Sequence, residues 1–280
     1  MNVELSGKTE KIEPYRFFGE GRVVDLMSRL VKAGYNPAGV GTILDRRMNA
    51  PEDVRSAWQL NYFWTGDSAG TDNTGNVVLT LDSSILRELN PNSPLSNTYA
   101  LNLSAEQWEE LSDDKESLHL SPSFVEQVQR QGYVKKNGVW QPTNSEVGKV
   151  WDFLMQGKDV DLKEYAQMVS GKSGYDSVMR LYFDQSRPST PNWRSLVVNR
   201  IDSYSDVSGN NYLNNDYGRL AGVAPEAHRF RQAEGTRENL GVDQPTANEI
   251  ADVIYGHLVD ITKSVTKEDL LQGLKNKGYK

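Results

Sequence analysis

The chain has 280 residues, 37% hydrophobic and 25% charged, with a formal net charge of −7 and no cysteine. This is the composition of a soluble, acidic, folded protein with enough chain for a sizeable core. Disulfides, thiolate zinc sites, iron–sulfur clusters and cysteine nucleophiles are excluded, and the negative balance weighs against a surface that grips nucleic acid throughout.

No apolar run approaches the roughly 20 residues that span a bilayer, and the start, MNVELSGKTEKIEPY, lacks the apolar core of a signal peptide. A cytoplasmic protein without a membrane partner is expected. His119, His228 and His257 are far apart and show no i, i+4 pairing, so no sequence-local zinc site is expected, nor a haem.

The first twenty residues show no periodicity and end in Phe17, Phe18, Gly19 and Gly21, an arm that would dock its aromatics on the body. From Val23 the apolar spacing becomes helical through Leu26, Met27, Leu30 and Val31, with Gly34 as a stop. Asn36 and Pro37 fit the cap and first turn of a second helix carrying Val40, Ile43 and Leu44, so a helical hairpin is predicted. The positions of Leu30, Gly34, Val40 and Ile43 also resemble those of helix-turn-helix units, in which Arg29, Lys32, Arg46 and Arg47 would face phosphate.

Pro51 starts a further helix, after which Tyr62, Phe63 and Trp64 lead into residues 65–76, TGDSAGTDNTGN, predicted as a mobile loop. Val77 to Leu81 reads as a strand, residues 83–89 as a short helix behind Asp82, and Thr98 to Leu103 as another strand. Ser104 with Gln107 is a capping box for a helix to Leu111, and an acidic connector follows. A second unit is expected from about Leu118, giving domains 1–117 and 118–280. In it Ser121 caps a helix, Asn137-Gly138 marks a hairpin with Lys135 and Lys136, as on the wing of winged-helix DNA binders, and helices follow over Ser145 to Gln156, Leu162 to Val169 and then Tyr175 to Phe183.

Trp193 to Pro225 joins the best strand signal, Leu196, Val197, Val198 and Ile201, to the densest polar loop of the chain. Asx and serine residues crowd between Asp202 and Asp216, and Tyr204, Tyr212, Leu213 and Tyr217 interrupt them, so an ordered loop is expected. Charged residues of both signs continue to Gly241. Amphipathic helices are predicted from Thr246 and from Thr266, with His257 beside the apolar face of the first. The fold class expected is α+β, helix-rich, with a small central sheet and a helical C-terminal segment.

Three functions fit these patterns. A binding protein would use Trp193, Tyr204, Tyr212 and Tyr217 with the Asx loop to recognise a polar ligand or partner. Calcium or magnesium could assist, held by the oxygens of Asp202, Asp206, Asn210 and Asp216, whose spacing is not that of an EF-hand. A hydrolase would use Arg200, Asp202 and His228 as acid/base and anion-holding groups. A regulator would use the helical hairpin on DNA.

Overall fold

The computed structural model describes residues 15–225 and, before them, the backbone of two short strands. Those two, β1 (Val3–Leu5) and β2 (Lys8–Glu10), pair antiparallel. The chain continues through β3 (Tyr15–Glu20), α1 (Val23–Lys32), β4 (Asn36–Pro37), α2 (Val40–Asn49), α3 (Glu52–Gln59), β5 (Phe63–Thr71), β6 (Val77–Thr80) and α4 (Ser84–Arg87). Next come β7 (Leu101–Asn102), α5 (Ala105–Asp113), β8 (Leu118–Leu120), α6 (Pro122–Val128), β9 (Tyr133–Lys136), β10 (Val139–Pro142), α7 (Ser145–Leu154) and α8 (Leu162–Ser173). The last elements are β11 (Ser177–Val178), β12 (Leu181–Phe183), β13 (Asn192–Val198), β14 (Val207–Gly209) and β15 (Arg219–Val223). Residues 1–227 cluster as one compact unit.

The architecture is α+β, but the sheet is not small: ten strands share it, with β12, β14, β13, β5, β15 and β3 in that order. On the far side of β5, β15 pairs with its first residues in parallel and β6 with its last residues antiparallel. β6 in turn pairs with β8, so strands from both sides of Leu118 contribute to the sheet.

Strand alternation sends side chains to two separate cores. Phe17, Phe63, Leu196 and Val198 belong to one, with α2, α3, α7 and α8; Phe18, Trp64, Trp193 and Val197 belong to the other, with α1 and α4. Trp58 anchors the first core, stacked on Phe63 with ring centroids 5.3 Å apart and tilted against Phe17 at 4.9 Å. Each such aromatic pair adds about 1 kcal/mol beyond burial.

This division overturns the helical hairpin. α1 and α2 lie on opposite faces of the sheet because Asn36 and Pro37 are spent as β4, paired with Val223 and Gly222, and not as a helix start. Arg47 is fully buried and Arg46 is 9% exposed, so neither is offered to phosphate.

β5 is the largest departure from the sequence pattern. Every residue of FWTGDSAGT is buried, although its composition reads as loop. Gly66 faces the Pro37 ring, and Gly70 lies beneath the Trp193 and Trp108 indoles, where a Cβ would collide. Most of the strand's polar side chains find partners within the fold, whereas the Ser68 hydroxyl is buried without one. Thr65 Oγ1 donates to the Leu196 carbonyl at 2.9 Å, and Ser195 Oγ donates to the Thr65 carbonyl at 2.8 Å, at the bulge between Ser195 and Val197.

The Asp67 carboxylate accepts the Val40 N–H at 2.6 Å and the Asp82 N–H at 3.0 Å, tying the starts of α2 and α4 to the sheet. Only residues 72–76 remain a turn, built on Asp72 Oδ1, which accepts from the backbone N–H groups of Thr74 and Asn76.

Other elements follow the sequence closely. The Ser104–Gln107 capping box is present, and Asn137 and Gly138 take φ of 52° and 81° in the β9–β10 hairpin. The segment read as helix up to Phe183 instead forms β11 and β12 after Gly174 ends α8 in the left-handed region. The first-strand arm is β3, paired with β15, and the strand expected from Thr98 shrinks to β7. The predicted C-terminal helices, His228 and His257 lie outside the described residues.

Candidate functional site

β13 ends at Val198 beside the start of β5, and the chain then turns through a short 3-10 segment, Ile201–Ser203. Ile201 and Val207 are buried and anchor the turn from within. Between them Tyr204 and Ser205 both take left-handed φ, 69° and 53°. For residues other than glycine this conformation costs about 1–2 kcal/mol each, so the surroundings must hold it.

Arg47 does so from below. Fully buried, its guanidinium donates to Ser205 Oγ at 2.8 Å, Tyr165 Oη at 3.1 Å, and the carbonyls of Trp58 and Asn61 at 2.9 and 3.1 Å. Tyr165 Oη and Ser205 Oγ lie 2.6 Å apart, which closes the network.

Above this base opens a cleft of about 610 Å³. Its centre is the Arg180–Asp206 pair: Arg180 Nη2 and Nε donate to the carboxylate at 2.7 and 3.2 Å, and the Arg180 backbone N–H adds a third bond at 2.8 Å. Burial pushes the Asp206 carboxyl above its ordinary range, with the Arg180 hydrogen bonds pulling the other way. The guanidinium also lies 3.9 Å from the Tyr204 ring centroid, and Tyr175 stacks on Tyr204 at 3.8 Å with an 11° interplanar angle.

Tyr182 and Tyr62 line further walls, and Tyr62 meets Tyr217 edge-on at 5.7 Å. Tyr217 Oη donates to Asn211 Oδ1 at 2.7 Å, Asn211 Nδ2 donates to Ser208 Oγ, and Ser208 Oγ donates to Asn210 Oδ1. The rim is therefore cross-braced by its own side chains.

Of the residues singled out in the sequence, Tyr204, Asp206, Asn210 and Tyr217 line this cleft. Tyr212 is exposed on a neighbouring surface, paired with Tyr99 at 5.8 Å. Trp193 belongs to the core, fully buried, its Nε1 donating to Ser83 Oγ. Arg200 and Asp202 form a bidentate ion pair at 2.8 and 2.7 Å, with Arg200 over the Tyr62 ring.

Asp202 and Asp206 thus each engage both carboxylate oxygens with an arginine, and Asp216 is exposed. Among the described residues no group of three or more His, Asp or Glu is placed to hold a metal ion.

Ser203, Ser208 and Asn211, from the expected Asx and serine segment, also line it, and Tyr62, Arg180, Tyr182 and Asn199 complete the lining and were not singled out. The alternation of Arg180, Leu181, Tyr182 and Phe183, polar out and apolar in, is a strand signal that could have exposed two of them.

No protein-family model matches the chain, and no curated protein matches it. A solved structure described as "Accommodation of massive sequence variation in Nanoarchaeota by the C-type lectin fold" is similar to it with a TM-score of 0.52 and 15% identity. The likeness covers 76% of this chain and 100% of that one, and it extends to the fold alone. No helix among the described residues is long and apolar enough to cross a membrane.

Proposed function

We propose that the chain is a binding protein that presents the tyrosine- and asparagine-lined cleft around Arg180 and Asp206 to a folded protein partner. The observation that carries this reading is the lining itself. Tyr62, Tyr182, Tyr204 and Tyr217 alternate with Asn199, Ser203, Ser208, Asn210 and Asn211. Antibody paratopes use the same chemistry, because tyrosine gives large amphipathic contact at low entropy cost and Ser and Asn adapt their hydrogen bonds. Exposed Tyr175 and Tyr212 extend the face beyond the cleft.

The structural neighbour accommodates massive sequence variation in a C-type lectin fold. By extension to this chain, the lining is separable from the scaffold: the Arg47 network and the sheet hold the backbone, and the outward side chains choose the partner.

The test is a displayed library randomised at Tyr62, Tyr182, Asn199, Ser203, Asn210 and Tyr217, selected on a folded protein such as hen lysozyme. Expected are binders that keep the fold within about 3 kcal/mol, since surface replacements usually change stability by about 0.5 kcal/mol each. A library that unfolds wholesale, or one that yields no binder whose affinity depends on these positions, defeats the reading. Selection in calcium and in EDTA separates the ion-assisted version, which needs Asp206 to release Arg180.

A further inference from the structure

A second cleft, of about 360 Å³, lies among the loop after β5, the strands β6 and β8, and α5. Register places it well away from the tyrosine face. Trp193 and Asn192 pair with Gly70 and Thr71 at this end of β13, whereas Val198 leads into the tyrosine cleft six residues on, roughly 20 Å at strand rise.

Val77, Val78 and Leu120 contribute to its lining; Val78 shares the face of His119 and Trp108, whereas Val77 and Leu120 send their side chains into the opposite core. The Trp108 indole forms one wall, and Asp72, Asn76 and His119 supply the polar groups, His119 standing directly across from Val78.

Charge separates this cleft from the first. Burial pushes the Asp72 carboxyl up, but hydrogen bonds from the side chains and N–H groups of Asn76 and Thr74 outweigh it and leave the group below its ordinary range, ionised at neutral pH. α5 and the turn after it add Glu106, Glu109, Glu110, Asp113, Asp114 and Glu116 against Lys115 alone. Arg187 lies against Gly75 at the edge of the Asp72 turn, and the balance stays negative.

We propose that this cleft is a binding site for a lysine or arginine side chain presented by a basic partner peptide. Val78 and the Trp108 ring take the methylene stem, as long cationic side chains bury their stems while the head stays polar. The Trp108 ring and the Asp72 carboxylate receive the cation, tryptophan being the strongest aromatic partner for it. The acidic α5 raises the local concentration of a positively charged segment. None of this depends on the tyrosine face.

The full chain is titrated with capped hexalysine at low salt, followed by tryptophan fluorescence, with capped hexaglutamine as the neutral control. Saturable binding is expected for hexalysine alone, weakening steadily as salt is added. Ser112→Lys puts a tethered ammonium at the cleft and should weaken binding at least tenfold, as should Trp108→Ala where circular dichroism shows it folded. Glu110→Gln also makes the chain one charge more positive, but about 200° around α5 from Trp108, and should change affinity less than threefold. Tyr217→Ala, in the other cleft, should leave it unchanged. Absence of saturable binding, or a Ser112→Lys protein that binds like the parent or like Glu110→Gln, would overturn the assignment.

Discussion

Asp67→Asn tests the account of the central strand. The Asp67 side chain is 4% exposed, and burial raises its carboxyl from an ordinary 3.8 to about 6, even though the N–H groups of Asp82 and Val40 point at it and favour the charged form. The Asp82 carboxylate pushes in the same direction as burial. A folded-state value above the unfolded one means that the folded protein holds its proton more tightly. The stability linked to that proton is fully present below about pH 4 and lost as pH rises through about 6. A displacement from 3.8 to about 6 corresponds to about 3 kcal/mol. The asparagine amide does not titrate, so urea denaturation from pH 4 to pH 7 should show the parent losing about 2.4 kcal/mol relative to Asp67→Asn, the part of the full displacement that falls in that window. The variant gives up one of the two N–H acceptors at every pH, which offsets both ends equally and leaves the slope untouched. A gap between the two proteins that stays flat, or that grows in the parent's favour toward pH 7, would show that the two N–H bonds outweigh desolvation and refute the reasoning.

Two further substitutions probe the frame. Gly70→Ala would drive a methyl group into the Trp193 indole and to 2.8 Å from Trp108, so a loss of about 3 kcal/mol is expected by chemical denaturation; a loss below 1 kcal/mol would mean the two indoles can slide apart. Arg47→Ala strands the Trp58 and Asn61 carbonyls, while Tyr165 and Ser205 keep each other, and opens a cavity besides. The expected loss is about 4 kcal/mol, with faster amide exchange at Tyr204 and Ser205 as the specific sign that the turn depends on it.

What the sequence disclosed divides along physical lines. Caps, turns and amphipathic helices are local, and they were legible: Ser104 with Gln107, Asn137-Gly138, the apolar stripe of α7, and the valine strand that became β13 at the sheet's centre. β5 was not, because its reasons are distant. Gly66 and Gly70 are there for Pro37 and for two tryptophans, and Thr65, Asp67 and Ser195 satisfy one another's neighbourhoods across more than a hundred residues or at a helix start. Composition alone reads those residues as loop. The hairpin of α1 and α2 failed for a related reason, since helical spacing reports that a face is buried but not which side of a sheet buries it. For the candidate site, the tyrosines and Asx residues of 204–217 stood out as a dense segment. Arg180 and Tyr182 did not, because only tertiary packing carries β12 alongside β14.

The tyrosine face also shows why rigidity and adaptability coexist in one loop. Tyr204 and Ser205 are held in a conformation that neither residue prefers, by the Ser205 N–H bond to the Arg200 carbonyl, the Met179 N–H bond to the Tyr204 carbonyl, and the buried fork of Arg47 on Ser205 Oγ. Since Ser205 points down into that network while Tyr204 points outward against Arg180, the strain at one residue fixes the ring of the next. Asp206 then carries the same logic forward, accepting the Arg180 backbone N–H as well as its guanidinium, so that β12 and the turn are locked at a single point. Side chains beyond that lock, Asn199, Asn210 and Tyr217 among them, bear no comparable share of the fold. A surface built in this way can change its outer residues while its backbone stays in place. That separation fits the recognition role proposed above, in which the outer side chains choose the partner.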